Sequence, residues 1–196
     1  MQIPVTFLAP VALLSLHAGT EVPAQRALDP KAEEAVRITR IMVEDVLKAE
    51  KAVIVKFKAL PDSDDIRILF GKNMYGWSVS DKCLSTRQED FQTALSTYQK
   101  DFKDAALVDE LRLFAKKIAR ESLDQIAVSE KRITRLQKEL REGKVLDKDG
   151  KLVDITEYQK KISEGLLKVL PLEIEYQTEA KRIATAYGAG LAKLMD

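Results

Sequence analysis

The 196-residue chain has little of what chemistry or cross-linking requires: one Cys, one His, one Trp, six Pro and eight Gly. Its charge has no dominant sign either, with 32 Lys and Arg against 31 Asp and Glu. A lone Cys83 excludes an intramolecular disulfide and a cysteine metal cluster. It leaves three readings open: a small buried apolar side chain, an intermolecular disulfide or a reactive thiol. The net charge of +1 supplies no long-range field to gather nucleic acid or an anionic membrane, and basic residues alternate with acids throughout. Nucleic acid is therefore not an expected partner.

The single His17 lies in or beside an apolar N-terminal run, so imidazole general-base catalysis and histidine metal ligation are not expected of the processed chain. No Gly-rich phosphate loop, GxSxG elbow or HExxH motif occurs. Asp62, Asp64 and Asp65 form the best remaining carboxylate cluster. Acids following a Pro are usually solvent-facing turn residues, so the expectation is a protein that is not an enzyme and carries no cofactor. The stretch Asp147-Lys148-Asp149-Gly150 invites a calcium reading, which the spacing defeats. With Gly150 at the sixth loop position, Val145 stands where an acid is needed first and Thr156 where a bidentate Glu is needed twelfth. No metal site is expected.

What is present begins with residues 5–16 (VTFLAPVALLSL), an apolar run of signal-peptide length and too short to span a bilayer as a helix. Val22 and Ala24 stand three and one residues before a cleavage site at Gln25, with Ala18 as an alternative. Against this, no Lys or Arg precedes the run and Pro10 interrupts it. The alternative is an apolar segment packed on the fold. The expected location is periplasmic or secreted, with no stable membrane span in the processed chain.

Two long intervals without Pro, from Pro61 to Pro171 and from Pro171 onward, permit long helices. The sequence predicts a mainly α protein: an antiparallel bundle of about three long helices with a small irregular or β-hairpin cap. The expected organisation is a signal peptide over 1–24 and a single helical domain over 25–196. Within it fall a helix at 29–60, a cap at 61–84, a long helix at 85–142, a turn or hairpin at 143–153 and a kinked helix at 154–196. Asp29-Pro30 is an N-cap followed by Pro at the first helical position, and Val36, Val43, Val46, Leu47, Val53, Ile54 and Phe57 recur at helical steps. Residues 52–58 (AVIVKFK) also alternate as a strand would.

Ser85 with Gln88 and Thr86 with Glu89 are overlapping capping boxes that predict a helix start. From there Phe91, Leu95, Tyr98, Phe102, Leu111, Phe114, Ile118, Ile126, Ile133, Leu136 and Leu140 form one stripe whose slips rule out an uninterrupted heptad coiled coil. Its wet face carries Lys100 with Asp104, Lys117 with Glu121, Arg120 with Asp124, Arg135 with Glu139, and Lys138 with Glu142, spaced for weak ion pairs. Gly143 is a natural C-cap, Asp149-Gly150 a hairpin turn, Asp154 to Glu157 a further capping box, and Pro171 a break or kink. Small residues at 184–192 suit close helix approach, within the chain or between copies, so a homo-oligomer is compatible with the sequence.

Met74, Tyr75 and Trp77 are the most conspicuous apolar cluster outside the helices, and they suit either a partner surface or a cap on one end of the bundle. The functional expectation is a non-enzymatic exported interaction or structural protein of the cell envelope or extracellular space, with protein as its partner. A periplasmic holdase-type chaperone and a carboxylate-dependent hydrolase are the alternatives from other classes.

Overall fold

The computed structural model describes residues 27–60 and 81–195, the side chains of 81–87 and 90 excepted. Among them are four helices and one two-stranded sheet: α1 Pro30–Lys58, α2 Asp81–Asp101, α3 Asp104–Glu142, β1 Lys144–Leu146, β2 Leu152–Asp154 and α4 Glu157–Ala192. The helices pack on one another as a bundle, with the small sheet joining α3 to α4. No helix among the described residues is long and apolar enough to cross a membrane.

α1 starts as its sequence dictates. The Asp29 carboxylate accepts from the Ala32 amide at 2.7 Å and Pro30 opens the first turn, where its missing N–H leaves no helical bond unmade. The ambiguous stretch 52–58 is helical. A strand would turn Val53, Val55 and Phe57 to one side, whereas Val53, Ile54 and Phe57 are buried and Val55 is 61% exposed.

The expectation of one helix over 85–142 is corrected. The chain leaves helical geometry at Phe102 and Lys103 and reverses, which brings the rings of Phe91 and Phe114 to 5.9 Å between centroids. In an unbroken helix those residues would stand about 35 Å apart. Reversal lets one apolar stripe cover itself: Phe91, Leu95 and Tyr98 of α2 pack on the core that Leu111 and Phe114 of α3 help to build. α2 also begins at Asp81, so Ser85 to Glu89 lie inside it rather than at its start. The break also places Lys100 and Asp104 on different helices, while Lys117–Glu121 (3.9 Å) and Arg135–Glu139 (3.5 Å) do form along α3.

α3 ends on Gly143 at φ 64°, the left-handed conformation that glycine adopts without a Cβ clash. β1 and β2 then pair antiparallel, Lys144 opposite Asp154 and Leu146 opposite Leu152, with Gly150 at φ 77° in the turn. The Asp147 carboxylate holds that turn by accepting from the amides of Asp149 and Lys151, both at 2.9 Å. The cap of α4 is one residue set further on than expected. Asp154 is taken up by β2 and its ion pair with Lys144, so Thr156 becomes the N-cap, accepting from the Gln159 amide at 3.2 Å while Gln159 Oε1 accepts from the Thr156 amide. Pro171 does not break α4. It stands on the exposed face, where solvent can meet the carbonyl it leaves without an N–H, while the adjacent Leu170, about 100° round the helix, is buried.

Two apolar clusters fill the bundle. The larger joins Met42 and Val46 of α1, Leu107, Leu111 and Ala115 of α3, and Ala180, Ile183, Ala184 and Leu191 of α4. The smaller contains Phe57, Leu136, Leu166, Val169 and Leu170, near the sheet end. Small residues on α4 serve packing within the chain: a Cβ at Gly188 would lie 3.5 Å from that of Ala115, an ordinary contact. Gly188→Ala should therefore stabilise the protein by about 0.5–1 kcal/mol, since it removes the helix penalty of glycine without a clash. Urea denaturation with an unchanged slope would show it, whereas a loss of stability would mean that α3 and α4 cannot accept the methyl group.

Candidate functional site

The described residues offer two unusual places, an aromatic cleft beneath α2 and a buried polar layer. Met74, Tyr75 and Trp77, the partner-binding residues expected from sequence, lie outside the described residues, as do Asp62, Asp64, Asp65 and His17. Cys83 falls within the first turn of α2, and its side chain is outside the description.

The cleft encloses about 390 Å³ between α1, α2 and α3. Val43 and Leu47 of α1, Phe91, Leu95 and Tyr98 of α2, and Phe114 of α3 give it an apolar lining, while Arg40, Glu44, Gln88 and Gln92 supply polar groups. Phe114 is the hub. Its ring meets Phe91 edge-on at 5.9 Å and Tyr98 at 6.1 Å, and Tyr98 in turn lies 5.8 Å from Phe102. The Phe91–Phe114 pair has the edge-to-face geometry that the charge distribution of aromatic rings favours, and the other two pairs are tilted at 54° and 32°. None of the described α2 side chains is buried, so this helix rests on the bundle through half-buried rings. Burial, reinforced by Glu110, raises the Tyr98 hydroxyl above its ordinary value, so it is a neutral hydrogen-bonding group at physiological pH.

No family model, curated protein or solved structure matches this chain. The cleft must therefore be read by its chemistry alone. Rings and aliphatic groups flanked by amides suit apolar side chains with a polar edge, as one face of a peptide presents. Among the described residues no group of three or more His, Cys, Asp or Glu is placed to share a metal ion.

The polar layer lies between the two apolar clusters. Glu50 of α1, Ser129 of α3, and Glu173 and Gln177 of α4 are at most 8% exposed. Ser129 Oγ donates to Glu173 Oε2 at 3.0 Å. Burial lowers the pKa of the nearby Arg132, aided by Arg135 and opposed by Glu173, yet a guanidinium remains charged. The Gln177 side-chain carbonyl has no hydrogen-bond partner among the described residues. The layer is closed to solvent and links α3 to α4.

A second polar link ties α1 to α4. The Tyr187 hydroxyl donates to Asp45 Oδ2 at 2.6 Å, and Lys56 pairs with Glu175 further along. The tyrosine hydrogen bond, and then Lys48, lower the pKa of Asp45 below its ordinary 3.8, while the same bond raises that of Tyr187. A depressed carboxyl pKa contributes stability above the unfolded value and loses it as pH falls through the folded one. Tyr187→Phe should thus cost about 1 kcal/mol at neutral pH. The gap from the parent should close as pH drops below 3.8, which urea titrations at stepped pH would follow. A gap that persists in acid would refute the linkage.

The sequence treated Phe91, Tyr98 and Phe114 as successive positions on one helix and so missed the cleft. Its cue is the nine-residue interval between Phe102 and Leu111, where the stripe loses its beat.

Proposed function

We propose that this chain is a non-enzymatic exported interaction protein of the cell envelope or extracellular space, and that it engages an apolar segment of a protein partner at the cleft beneath α2. The observation that carries this reading is the pair of half-buried rings, Phe91 and Tyr98, that a surface helix lays over the buried Phe114. Aromatic groups of that kind supply binding energy at interfaces when a partner completes their desolvation. The apolar run at 5–16 and the small residues before Gln25 support export. One discrete partner, rather than a wide range of unfolded clients, is the signature that separates this reading from a holdase.

The test is photo-crosslinking in the native host, with a benzoylphenylalanine placed at the exposed Gln92 on the cleft rim or at the exposed Lys160 of α4 as control. The reading expects a discrete adduct from position 92 and none from position 160, in the envelope or medium fraction, on a chain whose intact mass begins at Gln25 or Gly19. A full-length cytoplasmic chain would overturn the export part, and a smear of clients or no adduct at 92 would overturn the recognition part.

A further inference from the structure

The reversal between α2 and α3 is made by Asp101-Phe102-Lys103-Asp104, which contains neither Gly nor Pro. Lys103 occupies the N-cap of α3 at φ −92° and ψ 147°, and its side chain makes no capping hydrogen bond. Helical bonding continues up to the break on both sides: the Phe102 amide donates to the Tyr98 carbonyl at 3.0 Å and the Leu107 amide to the Lys103 carbonyl at 2.8 Å. Phe and Lys both accept helical dihedrals readily, so local preference does not demand this bend. What holds it is the packing of Phe91 and Tyr98 on Phe114. Two-residue hinges held by tertiary contacts are where proteins exchange segments between copies.

We propose that this chain forms a dimer by exchanging α1 and α2 with a second copy of itself, α2 and α3 straightening into one helix through Phe102 and Lys103. Among the described residues, α1 and α2 lie on one side of this hinge and α3, the sheet and α4 on the other, so α1 and α2 move together. Each contact that crosses the hinge then re-forms between copies, Phe91 and Tyr98 of one against Phe114 of the other. The second copy fits because it carries the same cleft, and each straightened hinge gains the backbone hydrogen bonds that the bend forgoes.

The experiment uses the full chain with Cys83→Ser, spin-labelled at Thr93→Cys and Lys116→Cys, both exposed positions. Labelled chains are refolded at high concentration in an excess of unlabelled chain, and dimer and monomer are separated for pulsed distance measurement. The exchanged dimer gives an intrachain distance of about 35 Å, the length of 23 helical residues, and the monomer a much shorter one. Because both hinges of a dimer respond, Lys103→Asp, which installs an N-cap and favours the bend, should weaken dimerisation about thirtyfold, a factor of about five per hinge. Lys103→Ala should strengthen it. A dimer that keeps the monomer's short distance overturns the proposal. So does the absence of dimer in both the parent and Lys103→Ala at millimolar concentration, or dimerisation indifferent to Lys103→Asp.

Discussion

Phe114→Ala should lower the stability of the bundle by about 3–5 kcal/mol, the range for deleting a large ring from a packed site. Phe114 is 8% exposed and holds two relations at once, closing the larger cluster and receiving Phe91 and Tyr98 from α2. Its loss opens a cavity on the α3 side and removes two ring contacts that attach α2, each contributing about 0.5–1.5 kcal/mol beyond area burial. Amide exchange should report a two-level response: protection in α2 falling nearly to nothing, and protection in α3 and α4 falling only by the global loss. Phe114→Leu should restore most of the global stability without restoring the ring contacts. Uniform loss along the chain, with α2 no more affected than α4, would show that α2 is bound by something other than the aromatic cluster.

Leu170→Ala should remove about 2–5 kcal/mol, and the loss should concentrate at the sheet end of the bundle. Leu170 is fully buried in the smaller cluster, which has only five buried members, so few neighbours are available to collapse into the space. It is also the residue before Pro171, where it anchors a helix that has already given up one backbone hydrogen bond. Truncation should therefore increase exchange in the turns around Pro171 and at β1 and β2 before the larger cluster responds. A single cooperative transition with uniform exchange would instead mean that the two clusters act as one unit.

Where local chemistry decides structure, the sequence can be read directly. Asp29-Pro30, Gly143 and Asp149-Gly150 each impose a backbone conformation through a named group, and each lies where that group requires. Helix 30–58 emerges because an apolar face at three and four residue steps outweighs the β-branched run in its second half. Where tertiary contacts decide, the reading fails. Nothing in Asp101-Phe102-Lys103-Asp104 announces a reversal, since the bend is selected by rings distant in sequence. At Pro171, where the sequence allowed a break or a kink, the helix continues unbroken, because the ring faces solvent and the adjacent Leu170 is buried. The cleft was illegible for the same reason as the bend, because its lining belongs to one stripe folded upon itself. The buried Glu50 and Glu173 were equally hidden, each resembling one more charge on a solvated helix.

The polar layer sets how the long helices are aligned along their axes. Apolar faces of Leu, Val and Ala are permissive, and α4 displaced by one turn, about 5.4 Å, along α3 would still bury much the same area. Such a displacement would carry Glu173 away from the Ser129 hydroxyl that donates to it. A buried carboxylate that loses a hydrogen-bond donor is destabilised by about 1–3 kcal/mol, which Leu and Val side chains have no means of recovering. Ser129 and Glu173 therefore act as a vernier: they add little to the depth of the folded state, and they make every neighbouring alignment of α3 and α4 shallower.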